Sequence, residues 1–108
     1  MVKFENLTPH AITFVGDDGT PTMVVEPSGQ VARVSTRTER VGEVGGISVT
    51  TTVFGEVDGL PAPEEGVAYI VSSLVAQRCQ GRNDVFIPNE PVRDEQGRII
   101  GCRSLGRI

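Results

Sequence analysis

The sequence has one histidine, two cysteines and no apolar run long enough to cross a bilayer. Each scarcity excludes a chemistry. The lone His10 removes multi-histidine metal sites and makes a Ser-His-Asp triad hard to build. Beside Pro9, at the start of a strand, it reads as structural. Cys79 and Cys102 occur in a chain whose opening, MVKFENLTPH, has no charged-then-apolar leader. They are therefore expected as reduced, half-buried thiols, and the expected compartment is the cytoplasm. There is no Gly-rich phosphate loop, no dinucleotide fingerprint and no Gly-x-Ser-x-Gly elbow, so Ser28 in Pro-Ser-Gly-Gln reads as a turn serine. Glu64 and Glu65 are adjacent and point in different directions, unlike a glycosidase pair. The expectation is a protein without catalytic residues, metal or cofactor.

What is present suits one domain spanning residues 1–108. Apolar residues make up 38% and charged residues 22%, ordinary proportions for a folded globular chain. The net charge of −4 argues against a DNA or RNA polymer as partner, since such binding needs a broad basic surface.

The first sixty residues read as short strands separated by turns. Ala11–Val15 and Thr22–Glu26 flank Gly16-Asp17-Asp18-Gly19 and form a hairpin pattern. Val31–Ser35 reads as a strand, and Ile47–Phe54 is dense in β-branched residues at period two. Val67, Ile70, Val71, Leu74 and Val75 follow helical spacing, with Gly81 placed for a left-handed cap. Val85–Ile87 reads as a strand stopped by Pro88. Pro91–Asp94 and Arg98–Cys102 flank Glu95-Gln96-Gly97 as a final hairpin. This order predicts an α+β fold, a mainly antiparallel sheet of short strands with one principal helix packed on it.

Charge is unevenly spread. Residues 1–77 hold four basic and ten acidic side chains, whereas residues 78–108 hold six arginines against four acids. Arginine offers a planar fork of donors for phosphate and a flat face for rings and bases, and no lysine occurs in that segment. Arg82, Arg93, Arg98 and Arg103 are the candidate phosphate ligands, Phe86 the candidate stacking surface, and Asn89 the candidate contact to a base or ribose edge. Arg33, with Arg37 and Arg40, forms a second group that would face the first across a sheet or a subunit boundary. The competing reading is a solvated face, with Arg82 beside Asp84 and Arg98 facing Asp94 in surface ion pairs, and Phe86 in the core.

The phrases NLTPHAITF, PSGQVARV, FGEVDGLPAPEEGVAYIVSSLVAQ and GRNDVFIPNEPVRDEQGRIIGCRSL, in that order, resemble small actinobacterial and actinophage proteins. The order is also similar to that of the first-described phage anti-Thoeris sponge family. That resemblance implies a compact β-rich fold with a prominent helix, assembled as a dimer or a trimer of dimers. It also implies sequestration, without cleavage, of a cyclic ADP-ribose isomer or cyclic oligonucleotide in the cytoplasm of an infected bacterial host. Phe86, Arg93 and Arg103 would supply the ring and guanidinium groups that such a family uses. The alternative is a protein-interaction or structural module that presents the Arg-rich hairpin to an acidic partner.

Overall fold

A computed structural model describes residues 2–108. Eight strands take up more than half of the chain: β1 (Lys3–Asn6), β2 (Ile12–Val15), β3 (Pro21–Val25), β4 (Arg33–Val44), β5 (Ile47–Asp58), β6 (Val67–Ile70), β7 (Val85–Arg93) and β8 (Ile99–Gly106). One short helix, α1 (Ser73–Gln77), lies between β6 and β7. This corrects the α+β expectation: the fold is mostly β, and no principal helix covers the sheet.

The correction has a specific cause. Val67–Ile70, expected in the first turns of a helix, forms β6 in the interior of the sheet, paired with β1 on one side and β7 on the other. Ala68, Tyr69 and Ile70 are all buried. A strand covered on both faces reads as a continuous apolar run, which periodicity alone does not distinguish from a buried helix. The helix begins only after Ser72, whose hydroxyl accepts a hydrogen bond from the Val75 amide as an N-cap.

Six strands form one mixed sheet in the order β1-β6-β7-β8-β2-β3. β1, β6 and β7 run parallel, β7–β8 and β2–β3 are antiparallel hairpins, and a parallel contact between Phe14 and Cys102 joins the two hairpins. The expected pairing of the second and third strands and the hairpin around Gly97 are both present. β7 does not stop at Pro88. It runs through Pro88 and Pro91 to Arg93, because β6 pairs with it only as far as Phe86. Past that point one edge is open, and a residue without an N–H forfeits no ladder bond there.

Buried residues form two clusters. One joins Leu7, Ala32, Tyr69, Val71, Val75, Ala76 and Val85, and the other joins Ile12, Ile70 and Cys102. Asn6 is the buried polar residue, with no exposed surface. Its amide donates to His10 O at 2.7 Å and Val25 O at 3.1 Å. Its Oδ1 accepts from the Thr8 amide at 3.0 Å and from the Thr8 hydroxyl at 2.6 Å. The NLTPH phrase is thus a loop wound around one asparagine, with the His10 carbonyl rather than its ring as the working group.

β4 and β5 stand apart as a two-stranded arm of twelve residues per strand. Thr and Val dominate its centre, which suits an extended ladder. The ladder runs from Arg33↔Asp58 at the base to Val44↔Ile47 at the tip. There Gly45 and Gly46 take φ of 59° and 83°, the positive values that a tight two-residue hairpin turn requires. At the base, Val34 and Val57 pack on the first core cluster. Most of the remaining arm residues are exposed. The molecule accordingly extends 53 × 39 × 23 Å with a radius of gyration of 17.1 Å, against about 13 Å for a compact domain of this length.

Candidate functional site

The arginines that crowd together in sequence separate in space, because β7 and β8 form a hairpin with two distant ends. The eight steps from Val85 to Arg93 span about 25 Å at ~3.3 Å per residue. Arg82 lies beyond one end, with Phe86 near it. Arg93 and Arg98 flank the turn at the other.

At the inner end, Arg82 is held in an ion pair through Nε and Nη2. Its Nε and Nη2 grip the two oxygens of Asp84, each at 2.8 Å, and Nη2 also donates to Pro61 O at 3.1 Å. The bidentate bond holds the Asp84 carboxyl below its usual range and raises the Arg82 pKa. Here the ion-pair reading describes Arg82 better than a free phosphate ligand does. Phe86, half-buried on β7, pairs with Ile70. Above its ring lies the guanidinium of Arg107, 5.0 Å from the centroid, and Arg107 Nη2 donates to Asn83 O at 2.9 Å. Gln80, Gly81, Arg82, Asn83 and Arg107 line a cavity of about 120 Å³ beside this stack.

At the turn end, Arg93 Nη1 donates to Gly97 O at 2.8 Å, and Arg98 Nε lies 3.4 Å from Asp94 Oδ2. Both side chains are exposed, so these contacts hold the turn weakly. Between the two ends, Asn89 is exposed opposite Ser104. Arg103 reaches across to the β2–β3 turn, donating to Gly16 O at 3.3 Å with Asp17 at 4.0 Å. Arg33 sits at the base of the arm opposite Asp58. The structure therefore brings Arg82 and Phe86 to one corner, Arg93 and Arg98 to another, and leaves Asn89, Arg103 and Arg33 apart from both.

Arg107 is the residue that sequence reasoning passed over. The turn at Gly97 alone would set Phe86 opposite Gly106; a bulge between Val92 and Arg93 moves the ladder by one, so that Ile87 pairs with Gly106 and Phe86 comes beside Arg107, and nothing in the sequence marks that bulge. A separate groove of about 420 Å³ lies between β2 and the outer half of the β7–β8 hairpin, lined by Ile12, Thr13, Pro88, Pro91, Ile99 and Ile100 among others. Its lining carries no charged side chain. Among the described residues no group of His, Cys, Asp and Glu is placed to hold a metal ion, and no helix is long and apolar enough to cross a membrane.

No known protein family, curated protein or solved structure matches the chain.

Proposed function

We propose that this chain is a non-enzymatic binding protein that sequesters a cyclic nucleotide signal between copies of itself. The ligand class is a cyclic ADP-ribose isomer or a cyclic oligonucleotide, and the setting is phage anti-defence in the cytoplasm of an infected host. The observation that carries this reading is the corner where Arg107 covers Phe86 beside a cavity edged by Arg82, Gln80 and Asn83. The cavity lining combines guanidinium donors and amides, groups that hold phosphates and base edges, while the Phe86 ring lies under Arg107 and outside that lining. Ligand pockets usually measure about 300–1,000 Å³, so a cavity of about 120 Å³ is a partial site. A second copy would have to close it over a ligand of dinucleotide size. Arg93, Arg98 and Arg103, which lie away from this corner, would take part only across such a contact.

The test is thermal unfolding against a panel of cyclic ADP-ribose isomers and cyclic di- and trinucleotides. A ligand at ~100 times its Kd adds about 2.7 kcal/mol, which raises the midpoint of a domain this size by roughly 10 °C. One responsive class, recovered intact after heating, supports sequestration; a cleaved product indicates an enzyme.

A second reading, a protein-interaction module, draws on the exposed turn carrying Arg93 and Arg98 next to Ile99 and Ile100, which are 60% and 50% exposed. A flat nucleotide panel favours it.

A further inference from the structure

The arm ends in an apolar tip. Val41, Val44, Ile47 and Val49 are 63%, 69%, 72% and 39% exposed. Val44 and Ile47 are cross-strand partners, and Val49, two residues beyond Ile47 on β5, shares their face. Val41 sits in the bulge between Arg40 and Gly42. Val44 lies about 36 Å along the ladder from Arg33, and none of these four side chains joins this chain's own core. An exposed apolar cluster on an ordered element marks a contact surface.

The same chain carries an apolar receptor. The groove of about 420 Å³ between β2 and the outer β7–β8 hairpin presents Ile12, Pro88, Pro91, Ile99 and Ile100. We propose that the arm tip of one copy seats in this groove on a second copy, and that two copies exchange arms reciprocally. Three features argue for this occupant. First, the acids nearest the tip are already neutralised on the arm itself, Glu39 by Arg37 at 2.8 Å and Glu43 by Arg40 at 2.9 Å. Burying the tip against an uncharged groove therefore strands no lone carboxylate. Second, the two-residue turn at Gly45 and Gly46 carries no side chain, which leaves Val44 and Ile47 as the outermost groups of the tip to meet the groove. Third, a stable interface buries about 800 Å² per partner, more than one tip in one cleft supplies. Reciprocal exchange gives two such contacts and closes the assembly under two-fold symmetry. This inference does not depend on the ligand proposed above.

The experiment is the solution mass of the full chain by light scattering, with two variants. Val44→Ser with Ile47→Ser removes the tip, and Ile99→Ser with Ile100→Ser removes the groove wall. These side chains are exposed, so the native β-sheet circular dichroism signal is expected in both variants. The expected result is a species of twice the 11.5 kDa chain mass for the parent protein and of single mass for each variant. An equimolar mixture of the two variants should recover a dimer at higher concentration, because one tip and one groove then survive. A monomeric parent protein, variants that remain dimeric, or growth into an open series of larger species would each overturn the proposal.

Discussion

The Arg107 guanidinium lies over the Phe86 ring at 5.0 Å and is tethered there by the Asn83 carbonyl. The contact joins the segment after β8 to β7 at its parallel junction with β6, closing the end of the sheet that faces α1.

Arg107→Ala should cost about 0.5–1 kcal/mol of stability through loss of the cation–π contact. Any nucleotide-induced rise in the unfolding midpoint should be lost with it. Arg93→Ala, at the opposite end of the hairpin, should leave the midpoint of the free protein almost unchanged. Thermal unfolding of the two variants with and without nucleotide makes the comparison.

Acid sensitivity should trace to Asp84. Its carboxyl is held below the ordinary value of 3.8 mainly by the Arg82 hydrogen bond. A depressed carboxylate pKa contributes stability that is full above the unfolded value and declines as pH falls through the folded one. Asp84→Asn should therefore lose about 1–3 kcal/mol at neutral pH, and the difference from the parent protein should shrink as pH falls through the depressed folded-state value. Denaturant unfolding of both proteins across the acid range should show the two curves converging there.

Asn6→Ala removes four hydrogen bonds from a fully buried side chain. It leaves polar partners such as the Val25 carbonyl facing the core without an amide. The expected loss is about 2–4 kcal/mol, measured by denaturant unfolding at constant m-value. Thr8→Ala, which deletes a single hydroxyl, should cost less.

Gly101 marks a close approach between β8 and β2. A Cβ there would stand 2.7 Å from Thr13 O and 2.6 Å from Val15 Cγ2. Gly101→Ala should destabilise by about 1–3 kcal/mol through displacement of a neighbouring backbone. Faster hydrogen exchange confined to β2 and β3 would confirm where the strain is released.

Strand content and the two short hairpins were legible because turn chemistry announces them: Gly16-Asp17-Asp18-Gly19 and Glu95-Gln96-Gly97 sit where the chain reverses. The segment Val67–Ile70 was not, since the burial of both faces depends on β1 and β7, which lie far off in sequence. The separation of Arg82 from Arg93 follows from strand length, and strand length was obscured by Pro88 and Pro91. Those prolines stop a strand only when both of its edges are paired. The arm illustrates another limit. Its Thr-rich centre signals a strand, yet nothing local reveals that the ladder leaves the body after Val34 and Val57.

The strand order also sets a timetable for synthesis. β1 needs β6 and β2 needs β8, so the early strands wait for partners translated some sixty to ninety residues later. β1, β6 and β7 can join once β7 has emerged, whereas β2 keeps an unpaired edge until β8 follows. Folding should be slowed by these distant pairings. That interval, rather than the finished molecule, is where a chaperone would matter.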